Sequence, residues 1–172
     1  LSHASILLSY KKIKLITDPW LFGSAFNTGW WLKREPTKDI EEIISKVNYI
    51  YISHNHPDHL HLQTLNKFSK DITIITPKFK SGSTYKILNR LGFKNIKECD
   101  FKKYFYINDK NFLFSILKSG AFREDSGLYI QADNTKILFN VDSNNLNSGV
   151  LPEKIDFAFS SFAGGASGFP LC

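Results

Sequence analysis

The chain has 172 residues, 42% of them hydrophobic, and a net charge of +6 from 22 basic and 16 acidic side chains. That suits one globular domain with a hydrophobic core, and no apolar run approaches the roughly 20 residues that span a bilayer. The lysines are dispersed rather than bunched, which argues against a nucleic-acid polymer as partner and leaves a mildly positive field that favours anionic substrates.

The opening, "LSHASILLSY", has neither a basic leader nor a small-residue cleavage pattern, so it does not read as a signal peptide. Two cysteines, Cys99 and Cys172, form no disulfide framework and no zinc-finger spacing, a usage that suits a reducing cytoplasm. There is no methionine, even at position 1, and "GASGFPLC" ends the sequence without a terminating element. The expectation is a piece of a longer protein.

Alternating apolar residues in "ASILLSY" (4–10), a Lys11-Lys12 break and "IKLITD" (13–18) predict a β-hairpin. It feeds a long aromatic loop, "PWLFGSAFNTGWWLKREP" (19–36), of a length that in compact domains is usually functional. A short helix is expected at about 38–46, capped by Thr37 or Asp39, and then a buried strand, "VNYIYIS" (47–53). Beyond residue 60, Leu62, Leu65 and Phe68 have helical spacing. "DITIIT" (71–76) reads as a strand, and "GSTYKILNRLGF" (82–93) as a helix stopped by Gly92. Strands then follow at 95–99, 103–107, 111–118, 127–132, 136–141 and 155–160, divided by the turn signals "NDKN" and "ADNT". This order predicts an α+β domain of packed sheets with helices on their outer faces.

Four of the five histidines fall in "SHNHPDHLHL" (53–62). Written H-x-H-x-D-H, the segment offers His54 and His56, which point the same way if extended and can reach one ion. Pro57 and Asp58 suit a helix first turn, so the chain should turn inside the motif and bring Asp58 and His59 to a second ion beside the first. His61 lies outside the spacing and reads as a surface or supporting residue. A solvated loop with incidental histidines is the alternative, but a buried strand running straight into the cluster favours a metal site.

The motif resembles that of the metallo-β-lactamase superfamily, whose fold is an αββα sandwich, here incomplete at both ends. The resemblance implies that His54 and His56 bind the first metal and Asp58 and His59 the second. It also implies a bridging aspartate at the end of a late strand, which "KILFNVDSNN" supplies as Asp142. The order and spacing of "LSHAS", "TDPWLFGSAFNTGWWLKREP", "YISHNHPDHLHLQTL", "KILFNVDSN" and "SSFAGGASGFP" are similar to the CMP-N-acetylneuraminic acid hydroxylase family. That implies an oxygenase acting on a nucleotide sugar with iron (alternatively zinc or manganese), one or two ions. It also implies an electron-donor protein and a Rieske [2Fe–2S] domain lying before residue 1. Within that family His3 falls near the active site; read alone it is a strand-end histidine.

One departure stands out. A third histidine is expected between the strands ending near Lys118 and starting near Gly127, where the sequence reads "SGAFREDSG" with Phe122 about in its place. Glu124 or Asp125 can substitute as an oxygen ligand, giving two histidines and a carboxylate, or else the first site is weakened or lost. Trp30 and Trp31 are candidates for stacking on a cytosine base, and the amides around Gly164 and Gly165 for holding a phosphate or carboxylate. The alternatives to an oxygenase are a metal-dependent hydrolase, in which Asp58 orients the attacking water or takes its proton, and a non-catalytic binding domain.

Overall fold

In the computed structural model the described residues are 1–34, 39–108, 110–120, 124–143 and 154–160. The predicted hairpin forms: β1 (Leu7–Tyr10) and β2 (Ile13–Thr17) pair antiparallel, with Tyr10 opposite Ile13 and the turn made by Lys11 at positive φ. The aromatic loop folds into a small hairpin of its own, β3 (Ser24–Ala25) with β4 (Trp30–Trp31). Helix α1 (Ile40–Lys46) follows Asp39, which occupies the N-cap without a side-chain hydrogen bond; Thr37 lies outside the described residues. Next come β5 (Tyr49–Tyr51), the short helix α2 (Leu62–Leu65), β6 (Thr73–Pro77), helix α3 (Ser83–Arg90) and β7 (Asn95–Cys99).

Helix α3 ends as its sequence predicts. Gly92 takes φ +86, and the amides of Gly92 and Phe93 turn back to the carbonyls of Asn89 and Leu88, satisfying two groups the helix leaves open. The second half is almost all strand: β8 (Tyr104–Tyr106), β9 (Phe112–Lys118), β10 (Ser126–Ala132), β11 (Thr135–Val141) and β12 (Phe157–Ser160).

Two five-stranded sheets result, ordered β1-β2-β5-β6-β7 and β12-β11-β10-β9-β8. Their facing sides carry the alternate apolar residues of each strand. Leu15, Tyr51 and Ile75 from the first sheet pack with Phe112, Phe114, Ile116, Leu128, Ile130 and Phe139 from the second. The other face of the first sheet, Ile16, Ile50, Ile52 and Ile74, packs under Leu65, Phe68 and Leu88 of the helical layer. Each such side chain contributes about 1.5–3 kcal/mol on full burial. The architecture is the α+β sandwich the sequence predicts, and no described helix is long and apolar enough to cross a membrane. Cys99 belongs to the inter-sheet core, where burial pushes its thiol up to about 11 and leaves it inert.

The topology decides where chemistry collects. Strands β2, β5 and β6 are parallel, with Thr17 beside Tyr51 and Tyr51 beside Ile75, so their carboxyl ends finish on one edge. In the second sheet β10 and β11 are antiparallel, with Leu128 opposite Phe139, so the start of β10 and the end of β11 lie at the same edge. Asp125 and Asp142 therefore leave their strands together, on the same edge.

Candidate metal centre

β2 ends and Asp18 follows at φ +35, its amide donating to the Tyr51 carbonyl at 2.8 Å. The fully buried Asp18 carboxylate accepts from the Ser53 amide (2.7 Å) and the Ser53 hydroxyl (2.6 Å), and lies 3.0 Å from His59 Nδ1. That contact fixes the His59 ring so that Nε2 faces the mouth of the site. There Nε2 meets Asp142 Oδ2 at 3.1 Å and Asp58 Oδ2 at 3.3 Å. Burial alone would lower the His59 imidazolium; the carboxylates of Asp142, Asp18 and Asp58 outweigh it and hold the ring protonated well above the ordinary histidine range.

His54 lies three residues beyond the end of β5 and is buried. Its Nδ1 lies 2.8 Å from the Ser53 hydroxyl and 3.4 Å from Asp125 Oδ1, while its Nε2 lies 2.8 Å from His56 Nδ1 and 4.0 Å from Asp142 Oδ2. Burial, helped by the charge of His59, lowers His54 to about 4, so the ring is neutral and its lone pair is available. Asp142 is thus set between His54 and His59. Burial acts to raise its carboxyl, but the contact with His59 dominates and lowers it. Burial likewise acts to raise Asp58, yet the contacts with His3 and His59 hold it below the usual carboxylate range.

Among the described residues two donor sets lie within 4.8 Å reach: His54, His59 and Asp142, and His3, Asp58 and His59. Asp58 Oδ1 is buried without a hydrogen-bond partner, and His59 Nε2 faces the Asp142 and Asp58 carboxylates without a well-formed hydrogen bond to either. Such atoms are costly in protein alone and satisfied by a cation, and neutral imidazole with carboxylate suits zinc, iron or manganese. The residues present fit a metal ion. A cation entering here replaces the His59 proton within a field of three carboxylates.

Of the ligands predicted from sequence, His54, Asp58, His59 and Asp142 converge. His56 is exposed; it touches His54 but lies outside both donor sets. The first turn of helix expected at Pro57–Asp58 is instead a single turn, in which the amides of His59 and Leu60 both reach back to the His56 carbonyl. It cannot continue because His61 is extended, at φ −83 and ψ 106, and caps α2 with its ring nitrogen accepting from the Thr64 amide. His61 is therefore a buried capping residue rather than a surface one. The candidate oxygen ligands separate: Glu124 is exposed and accepts from the Ser81 amide and hydroxyl, whereas Asp125 is buried against the Nδ1 edge of His54, away from the edge that faces Asp142. Burial raises Asp125 to about 6, although the Ser126 amide bond opposes the rise.

Trp30 and Trp31 are 45% and 68% exposed, so neither plugs the core; Trp20 from the same loop does. They line a cleft of about 410 Å³ with His3, Trp20, Lys33 and Arg34. Phe26 connects this hairpin to the centre, its ring 5.0 Å from Trp30 and 6.5 Å from His56. On the other side of His3 a second cleft, about 390 Å³, is floored by Phe139 and Phe159 and reaches Asp142. Gly164, Gly165 and Phe122 lie outside the described residues. Sequence reasoning missed Asp18 and Ser53 and gave His3 no ligand role. The available signal was an aspartate ending a strand that pairs with the strand entering the histidine cluster.

Two packed mixed sheets with a His/Asp cluster where their strands end define a metallo-β-lactamase-fold protein. The chain belongs to that superfamily: the β-lactamase superfamily domain matches residues 1–146. Over 99% of its length it is 39% identical to cytidine monophosphate-N-acetylneuraminic acid hydroxylase of Mus musculus and 40% identical to that of Cricetulus griseus. It spans only 30% and 31% of those two proteins. Among solved structures, the diiron β-hydroxylase CmlA from Streptomyces venezuelae superposes with a TM-score of 0.62 at 23% identity, over 83% of this chain and 28% of that one. A possible metal-dependent hydrolase from Veillonella parvula gives 0.64 at 15% identity, over 80% and 59%. These two share the fold.

Proposed function

We propose that residues 1–172 are the metal-binding domain of a cytoplasmic oxygenase that hydroxylates the N-acetyl methyl group of a CMP-linked sialic acid. The observation that carries this reading is 39–40% identity to hydroxylases of that name, sustained over 99% of the chain. The net conversion takes one C–H bond to C–OH, consuming O2, two electrons and two protons and releasing water. Iron is the preferred ion, since two imidazoles and a carboxylate with open positions suit oxygenase iron; bound here it supplies the redox chemistry that O2 requires. The electrons come from a donor protein through a Rieske [2Fe–2S] centre. Its C-x-H and C-x2-H pairs do not occur in residues 1–172, so this reading requires the centre to be supplied from outside them.

The chain's own residues then divide the work. His54, His56, Asp58, His59 and Asp142 hold one or two ions. Asp18 and Asp125 fix the imidazoles of His59 and His54 from behind, as carboxylates supporting ligand histidines do. Trp30 and Trp31 stack on the cytosine or wall the sugar, with Lys33 and Arg34 at the same cleft to meet phosphate or carboxylate. The amides of Gly164 and Gly165 are proposed for the same anionic groups. The test is conversion of CMP-N-acetylneuraminate by the complete protein under isotopically labelled O2. Labelled glycolyl product, lost in His54→Ala, is expected; turnover that needs no O2 overturns it.

A second reading, a metal-dependent hydrolase, is favoured by one feature: Asp58 keeps Oδ1 unpartnered in the site, where it can orient a nucleophilic water or take its proton. Cleavage of a generic phosphodiester under anaerobic conditions, lost in Asp58→Asn, would select it.

A further inference from the structure

We infer that His3 is a metal ligand, completing with Asp58 and His59 the donor set of a second cation beside the one held at His54 and Asp142. The inference rests on the metal-dependent function proposed above and adds a residue to it. His3 sits in a tight turn ahead of β1, at φ +47, closed by the Ser5 amide donating to the Ser2 carbonyl at 2.7 Å. That turn is pinned to the site: the Ser5 hydroxyl donates to the Asp18 carbonyl (2.8 Å) and the Ser2 hydroxyl to the Trp20 carbonyl (2.7 Å). The ring is held edge-on between Trp20 and His59, at centroid distances of 5.3 and 5.2 Å, and its Nε2 lies 2.9 Å from Asp58 Oδ2.

A single nitrogen lone pair serves one ion, yet His59 Nε2 belongs to both donor sets. Assigning His59 to the set with His3 and Asp58 resolves the conflict. His54 Nε2 and His56 Nδ1, 2.8 Å apart, then serve the other ion, and Asp142 lies between the two positions. The second position so formed offers two imidazoles and one carboxylate, a donor set suited to Fe(II), Mn(II) or Zn(II). If His3 only held Asp58 in place by a hydrogen bond, the buried Asp58 Oδ1 would still lack a partner.

The test is anaerobic titration of the complete protein with Co(II), reading ions bound per chain and the ligand-field absorption of each. Two variants separate ligation from hydrogen bonding. His3→Asn tolerates the positive φ, and His3→Gln keeps an amide that can donate to Asp58 but ligates poorly. In both, the first ion is expected at wild-type affinity and the second weakened by roughly a thousandfold or more, beyond the 10–100-fold loss typical of a supporting hydrogen bond. Circular dichroism and melting curves matching wild type confirm that the variants fold. Two ions at wild-type affinity in His3→Gln, or equal weakening of both ions, overturns the assignment of His3 alone. A wild-type protein that takes up no cation overturns the metal-dependent function itself.

Discussion

Asp18 and Asp142 each follow the last residue of a strand, and they approach His59 from opposite sheets. Asp18 lies 3.0 Å from its Nδ1, and Asp142 lies 3.1 Å from its Nε2. Asp18 is sealed in, with both oxygens occupied by Ser53. Asp142 has a side chain 42% exposed and lies against His54 and His59, histidines that also fit a cation. The first sheet's edge is thus a finished hydrogen-bond network, while the second sheet's edge is half of a site. The two are joined by Ser126, which donates to the Ser53 carbonyl at 2.8 Å and lies 2.7 Å from the Tyr51 hydroxyl. Rigidity comes from one side and access from the other.

The largest effect expected is at the sealed edge. Asp18→Ala removes the acceptor of two Ser53 donors and the partner of His59, all buried, and should cost about 3–5 kcal/mol of stability. Denaturant unfolding of the metal-free protein measures it. A loss no greater than that of Asp142→Ala would erase the distinction between the edges.

Asp125 tests the junction. Burial raises its carboxyl to about 6, above the ordinary value near 4. The folded state therefore binds a proton more tightly than the unfolded chain. Stability due to this group is full below about pH 4 and falls as pH rises through about 6. Asp125→Asn keeps an oxygen for the Ser126 amide and removes the charge. Its advantage over wild type should grow across that window and level off above it, at no more than about 3 kcal/mol. Melting temperatures of both metal-free proteins against pH give the curve; a constant difference would mean Asp125 titrates normally.

The same contrast divides one loop. Trp20 is buried, while Trp30 and Trp31 stand open at the cleft beside it. Replacing either open tryptophan by alanine should leave stability within about 0.5 kcal/mol. If they stack on the base, CMP-sugar affinity should fall by about 1–3 kcal/mol, as equilibrium binding would report. Unchanged affinity in both variants would make the hairpin a cleft wall and nothing more.

How much of this was legible follows the same division between local and non-local. The hairpin, the strand at 95–99 and the Gly92 stop were readable because alternation and turn chemistry act over a few residues. The length of α2 was not. Leu62, Leu65 and Phe68 suggest a longer helix than the four residues formed, and the capping role of His61 depends on its backbone angles. Within the site, the histidine cluster was visible as a run. Asp18 looked like any turn aspartate, because its meaning depends on β2 pairing with β5, which brings Ser53 to it across 35 positions. His3 is separated from Asp58 by 55 positions; the family resemblance placed it near the active site, but nothing in the sequence paired it with Asp58. Glu124 and Asp125 looked equivalent in "REDSG"; only the register of β9, β10 and β11 turns one towards His54 and the other towards Ser81.

Asp142 combines a small stability change with the sharpest test. It follows Val141, whose φ of +51 is unusual for a β-branched residue and re-aims the chain as it leaves β11. Such strain costs of order 1–3 kcal/mol and persists where the surroundings impose it. Asp142→Ala keeps that backbone and removes a partly solvated carboxylate, so in metal-free protein the stability change should stay within about 1 kcal/mol. Cation affinity, by contrast, should fall further than the 10–100-fold that a supporting residue controls. Unfolding and metal titration on the same preparation separate the two readouts. A variant that loses stability but keeps its cation would reverse the roles of the two edges, making Asp142 part of the framework and leaving the ions to the first sheet.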